Sequence, residues 1–205
     1  MSDTSAVDPA GRPRRADARR NEKALLDAAA AVFVASGVGA PIRAIAARAG
    51  VGTATIYRHF PTRADLIIAV YKHQVEGLAA AAPELLATHQ SPYAALARWI
   101  DMFVDFLVTK HGLADAMQSD ESCFGPLHDY FLERLVPACG QLVDAAIAAG
   151  EIRPDLRAQE LMRGVGNLCA GSTSGMHGFD ARRLVEILVA GLRQPVQPSA
   201  PTATA

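Results

Sequence analysis

The chain has 205 residues, half of them hydrophobic and a fifth charged, a globular composition that excludes a disordered chain. The net charge of −1 hides an asymmetry: residues 1–60 carry nine basic against five acidic side chains, net +4, and the remainder is −5. A basic front on an acidic body fits an N-terminal part that meets a polyanion; a modest excess on a solvated face is the alternative.

No run approaches the roughly 18 apolar residues of a membrane span, and Asp3 and Asp8 stand where a signal peptide would have its apolar core. Cys123, Cys139 and Cys169 are odd in number and far apart, with no CxxC or Cys/His ligand spacing. The expectation is a cytoplasmic protein with free thiols and no metal, cofactor or membrane partner.

In chain order, residues 1–17 are polar, rich in Pro, Gly and Arg, and aperiodic, and they read as a disordered basic arm. From Ala18 the pattern turns helical: Ala24, Leu25, Ala28, Ala29, Val32 and Phe33 recur at three and four, up to Gly37. Pro41 suits the first position of a short helix, Ile42 to Ala49, and Gly50 suits its stop through a positive backbone angle. Thr53 reads as the N-cap of a second short helix ending at Phe60–Pro61. Thr62 caps a longer one that buries Leu66, Ile67, Val70 and Tyr71 and stops before Pro83.

Further helical segments are expected over Ser91–Lys110, Leu113–Gln118, Pro126–Ala149, Asp155–Gly171 and Asp180–Gln194, followed by a disordered tail over 195–205. No alternating β pattern occurs, so the fold class is all-α.

Two short helices joined by a glycine corner make a helix-turn-helix. Ala46 sits where the second helix crosses and must be small, and Ile45, Val51 and Ile56 supply the core between the helices. Thr53, Thr55, Tyr57, Arg58 and His59 are left on the face that enters the major groove in this motif. Short hydroxyls and a phenol suit phosphate oxygens, while arginine and histidine reach base edges.

The segment GVGTATIYRHFPTRADL, Gly50 to Leu66, resembles the signature of the TetR family of transcriptional repressors, and the resemblance extends back to about Arg20. It implies a homodimer with a three-helix DNA-binding domain over 18–64 and a larger helical domain over 65–194 for effector binding and dimerisation. It puts Tyr57 and Thr55 on phosphates, makes Thr53 and Arg58 the base readers, keeps His59 on the same helix, and aligns Arg63 with a basic position that touches the DNA backbone. Ala40-Pro41 departs from the hydroxyl that many members carry before the turn; Arg43 is the candidate compensation. The stretch GRPRRADARR adds an arm to the DNA or stays a solvated tail, and the sequence leaves both open.

More loosely, TKHGLADAM, Thr109 to Met117, and its surroundings resemble the SbtR-like subgroup. The candidate effector residues are Trp99, Met102, Phe103, Phe106, Met117, Cys123, Phe124, His128, Phe131 and Asn167, for which a solid core is the competing reading. Asp101, Asp105, His128 and Asn167 lie on or beside apolar faces and need a partner, a ligand or a neighbouring helix. The expected partners are a double-stranded DNA operator, a small-molecule effector and a second copy of the chain. The last two helices form the expected dimer face through Leu161, Leu168, Leu184, Ile187, Leu188 and Leu192.

Other functions fit less well. GVGNLCAGSTSG, Gly164 to Gly175, is no cofactor loop without a preceding strand. Cys123 and His128, five apart, do not share a helix face and lack an orienting third group, so no enzyme is expected. No lysine or arginine adjoins a cysteine in sequence, which removes the case for a thiolate redox sensor.

Overall fold

The structure is a computed structural model that describes residues 11–116, 124–170 and 180–193, with side chains over 20–107, 110, 126–170 and 180–193. It is all-α. The helices are α1 (Gly11–Ser36), α2 (Ile42–Ala49), α3 (Thr53–His59), α4 (Arg63–Thr88), α5 (Pro92–Ala116), α6 (Phe124–Ala148), α7 (Ala158–Ala170) and α8 (Ala181–Ala190). The one β feature among the described residues is an isolated antiparallel bridge between Ile152 and Arg193. None of the described helices is long and apolar enough to cross a membrane.

Two compact units emerge, one within Met1–Gln74 and Val108–Asp120, the other within Val75–Leu107 and Glu121–Ala205. The first is built on α1, α2, α3 and the start of α4. Leu25, Ala29 and Phe33 of α1 are buried along with Ile45, Ile56, Leu66, Ile67 and Val70. These are the periodic apolar positions of four amphipathic helices, and their removal from water is the main force holding the unit. In the second unit Leu78, Leu96, Trp99, Phe103, Leu135, Leu142 and Val165 are each at most 3% exposed.

Several helix limits differ from those read in the sequence. α1 is already helical at Gly11, ahead of the expected start at Ala18. The remaining arm, 1–10, and the tail beyond Arg193 lie outside the described residues. α4 runs through Pro83 to Thr88, so the expected stop there fails. An interior proline costs about 3 kcal/mol. Here Pro83 is exposed, the freed carbonyl belongs to half-buried Ala79, and buried Ala81 and Ala82 hold the segment in place. α6 likewise carries exposed Pro137. The two expected pieces Ser91–Lys110 and Leu113–Gln118 join into α5, which passes Gly112 and continues to Ala116.

Candidate nucleic-acid interface and effector region

The corner between α2 and α3 is fixed by backbone chemistry. Gly50 has φ 67° and ψ 29°, a left-handed conformation costly for a residue with a Cβ. Its N–H donates to the Ala47 carbonyl at 3.4 Å, and the Val51 N–H donates to the Ala46 carbonyl at 3.0 Å. These two bonds form a Schellman motif and satisfy carbonyls that a helix end leaves open. A Cβ at Gly50 would meet nothing within 4 Å, so the requirement for glycine is conformational and not one of space.

Behind the corner, Ile45 is fully buried, Ala46 is 5% and Ile56 1% exposed, and Val51 is half-buried. α3 begins one residue earlier than a Thr53 cap requires. Gly52 is the N-cap, extended and without a side-chain cap bond, so Thr53 is the first helical residue and its hydroxyl is not used there. Pro41 similarly stands at the N-cap of α2 and not inside the helix. Thr62 does cap α4: its hydroxyl accepts from the Asp65 N–H at 3.1 Å, and the Asp65 carboxylate accepts from the Thr62 N–H at 3.0 Å. This reciprocal pair is a capping box with aspartate in the acidic position.

The anchored face of α3 leaves its other face to solvent. Thr53, Tyr57, Arg58 and His59 are exposed, Tyr57 to 50%, and Thr55 is half-buried. Tyr57 thus keeps its phenol in solvent on a seven-residue helix. The Arg58 guanidinium lies back along its own helix, donating to the Thr55 hydroxyl at 3.0 Å and the Ala54 carbonyl at 3.3 Å. Arg43 is exposed on α2, as is Arg48.

Arg63 is placed differently from the other candidates. One terminal nitrogen donates to the Ala40 carbonyl at 2.6 Å and to the Val38 carbonyl. It therefore ties the start of α4 to the turn between α1 and α2, a role that its position after Thr62 does not reveal.

Which residues does the structure bring together in the effector region? Trp99, Phe103 and Phe106 are at most 1% exposed, and Phe131 is 5% exposed. Their rings stack: Trp99 on Phe103 at 5.5 Å, Phe103 on Phe131 at 6.1 Å, and Phe106 on Phe131 at 5.8 Å between centroids. The Trp99 indole N–H donates to the Leu78 carbonyl at 2.8 Å, so its polar atom is satisfied within the chain. His128 is exposed and stacks on Phe131 at 5.8 Å, while Met102 is half-buried. Asn167 is exposed on α7. Met117, Cys123 and the Phe124 side chain lie outside the described residues.

Asp101 and Asp105 find their partner on a neighbouring helix: the Arg182 guanidinium of α8 pairs with both. Arg98 adds a second donor to Asp101 at 2.6 Å. Burial pushes the Cys139 thiol up to about 12 and raises Cys169 as well, although the Arg182 charge opposes the rise at Cys169. Neither is a poised thiolate.

In the expected dimer face, Leu161 and Leu192 are 3% and 6% exposed within the chain itself, so they are not available to a partner. Ile187 is 58% exposed, and Leu168, Leu184 and Leu188 are half-buried. Gly164 belongs to helix α7, and a Cβ there would lie 3.8 Å from Leu188, so the small residue faces α8.

Comparison with known proteins fits this geometry. The tetR family model of bacterial regulatory proteins matches residues 25–70, which hold the helix-turn-helix, and a model of the SbtR-like regulator C-terminal domain matches residues 91–194. A TetR transcriptional regulator from Streptomyces coelicolor is 36% identical, covering 88% of this chain and 99% of that one, with a TM-score of 0.70. The chain belongs to the TetR family of transcriptional regulators. A TetR regulator from Mycobacterium vanbaalenii is 32% identical over 89% of this chain and 100% of that one, with a TM-score of 0.65.

The HTH-type transcriptional activator FasR of Mycolicibacterium smegmatis is 35% identical over 105 residues, 48% of this chain and 47% of FasR. The match thus spans about half the length of that relative. In this TetR-family chain, Gly50 and the exposed face of α3 lie within residues 25–70, the part that the tetR family model matches.

Proposed function

We propose that this TetR-family regulator is a homodimeric, ligand-responsive repressor of a palindromic operator. The observation that carries the reading is the exposed row Thr53, Tyr57, Arg58 and His59 on a helix held by the Gly50 corner and buried Ile56. In the proposed complex α3 enters the major groove, Thr55 and Tyr57 hold phosphates, Thr53 and Arg58 read bases, and His59 and Arg43 flank them. The domain division of this reading is DNA binding over 18–64 and effector binding with dimerisation over 65–194.

Leu168, Leu184, Ile187 and Leu188 are the proposed dimer contacts, since they are the large apolar residues of α7 and α8 that the chain leaves at least partly open. Two recognition helices then meet half-sites about 34–36 Å apart. An effector that favours a different spacing of those helices disfavours DNA by linkage, typically by about 1–3 kcal/mol.

A second reading, activation, is favoured by the likeness to FasR. Selection of bound sequences from a random DNA pool tests the core of the proposal. A palindrome with half-sites one turn apart is the expected product, and its failure to outcompete random DNA would overturn the reading. A reporter driven from the selected sequence separates the signs, since repression lowers its output and activation raises it.

A further inference from the structure

α5 and α8 are joined at two points with a gap between them. At one end the Tyr93 hydroxyl donates to the Val189 carbonyl at 3.3 Å, and the Arg193 guanidinium lies 4.8 Å over the Tyr93 ring. Tyr93 is itself fixed, because its N–H donates to Glu151 at 2.6 Å beside the Ser91 cap of α5. At the other end Arg182 spans to Asp101 and Asp105. The Asp180 cap, which accepts from the Arg183 N–H at 3.1 Å, sets where α8 begins and so where Arg182 stands.

Between these struts is a cleft of about 180 Å³ walled by Ala97, Ile100 and Val104 of α5 and Val185 and Val189 of α8. Apolar walls with a few polar groups at one end are the usual makeup of a small-ligand site. An apolar cavity of roughly 150 Å³ takes a benzene ring, so the walled part of this cleft has room for one ring or a short chain. None of the residues lining it belongs to the stacked aromatic row.

Charge decides the class of occupant. The end at Arg182 carries the carboxylates of Asp101 and Glu186, with Asp105 beside them, against the guanidiniums of Arg182 and Arg98. Asp101 and Asp105 are each 43% exposed and Arg182 is 45% exposed, so these are part-exposed ion pairs, which exchange partners at little cost. A cation entering there takes over the carboxylates and releases Arg182 to solvent. An anion there faces three carboxylates against two guanidiniums that are already paired.

We propose that the α5–α8 cleft binds a small protonated amine on a compact apolar body, with its ammonium at Asp101, Asp105 and Glu186 and its body between the two helices. The consequence for DNA rests on the regulatory reading above, but the binding does not. α8 turns Arg182, Val185, Glu186 and Val189 toward the cleft, and Leu184, Ile187 and Leu188 fall on its opposite side by helical spacing. A body wedged into the cleft shifts the helix that presents the proposed dimer contacts.

The test uses the full chain and three probes with one body: 3-phenylpropylamine, 3-phenylpropan-1-ol and 3-phenylpropanoate. Binding is read from the methyl NMR signals of Ile100, Val104, Val185 and Val189, without DNA. The amine is expected to bind about fivefold more tightly than the alcohol, the size of a part-exposed ion pair, with the carboxylate weakest. Asp105→Asn and, separately, exposed Glu186→Gln should each reduce the preference for the amine, and added salt should reduce it in the wild-type chain. Equal or tighter binding of the carboxylate, an amine preference unchanged in both variants, or no methyl shift with any probe up to about 10 mM would overturn the proposal. Operator release by the amine is measured separately. Methyl shifts without release would leave the site standing and count against the regulatory reading alone.

Discussion

The Arg63 guanidinium reaches back 23 residues to donate to the main-chain carbonyl of Ala40 at 2.6 Å. The same nitrogen serves Val38, so one side chain holds the turn from which α2 departs. Arg63→Ala leaves two part-buried carbonyls without this donor, and hydrogen bonds to a charged group contribute roughly 1.5–3 kcal/mol each at most. We expect a lower denaturant midpoint and weaker operator binding with an unchanged salt slope. A direct phosphate contact behaves differently, since its loss lowers the slope by about one. Binding isotherms across a salt series distinguish the two roles.

Tyr57→Phe and Arg58→Ala should separate positioning from reading. Loss of the Tyr57 hydroxyl is expected to weaken binding to all sequences alike, because phosphate contacts carry no code. Arg58 must first leave the Thr55 hydroxyl, an exposed bond that is easily exchanged with water. Its loss should cost about 1–3 kcal/mol and relax preference at one base position per half-site. Repeating the sequence selection with each variant measures this. Unchanged base preference in Arg58→Ala would move that residue to the backbone class.

Phe103 stacks with Trp99, Phe106 and Phe131, at 5.5, 6.2 and 6.1 Å. Phe103→Trp should therefore overpack the row and cost about 1–3 kcal/mol, while Phe103→Ala should cost about 3–5 kcal/mol through a cavity. Melting curves check both values. In Phe103→Ala the lone Trp99 reports the same event, because loosening the row exposes its indole and shifts its emission to longer wavelength. A Phe103→Trp protein with unaltered stability would indicate empty space beside the rings.

Acid stability should depend on Glu76. The hydrogen bond from Arg134 chiefly, together with that from Tyr130, holds the Glu76 carboxyl below its ordinary value of 4.5 despite partial desolvation. A carboxyl depressed in the folded state contributes stability that is fully present above its unfolded pKa and is lost as pH falls through the folded one. Between about pH 6 and about pH 3 the wild-type melting temperature should accordingly fall more than that of Glu76→Gln. Parallel acid limbs for the two proteins would show that the pair is screened to no effect. The same contact pushes Tyr130 up to about 12, after the larger effect of burial, so the phenol stays protonated and donating throughout.

The helix-turn-helix was legible because its determinants are local. A positive φ at Gly50, a small residue at Ala46 and apolar side chains at Ile45 and Ile56 all act within one short segment. The spacing of Leu66, Ile67, Val70 and Tyr71 likewise marked the buried face of α4. Local signals misled where burial outweighed them: Pro83 reads as a stop, yet α4 continues because Ala81 and Ala82 are packed and the proline faces water. The cap at Gly52 in place of Thr53 is a shift of one residue that backbone conformation decides.

Pairing across the fold was not legible at all. Asp101 and Asp105 need a partner on sequence grounds, but that it is Arg182, 81 and 77 residues away, depends on how α8 lies against α5. Leu161, Leu192 and Ile187 are equally apolar in sequence, and packing alone sends the first two inside and leaves Ile187 58% exposed. The sequence by itself determined the all-α class, the helix-turn-helix segment and the family, since those follow from periodicity and backbone angles a few residues apart. Only the tertiary structure decided that the aromatic row stacks on itself while a cleft opens between α5 and α8, because voids and ion pairs arise from distances between helices that no local pattern encodes.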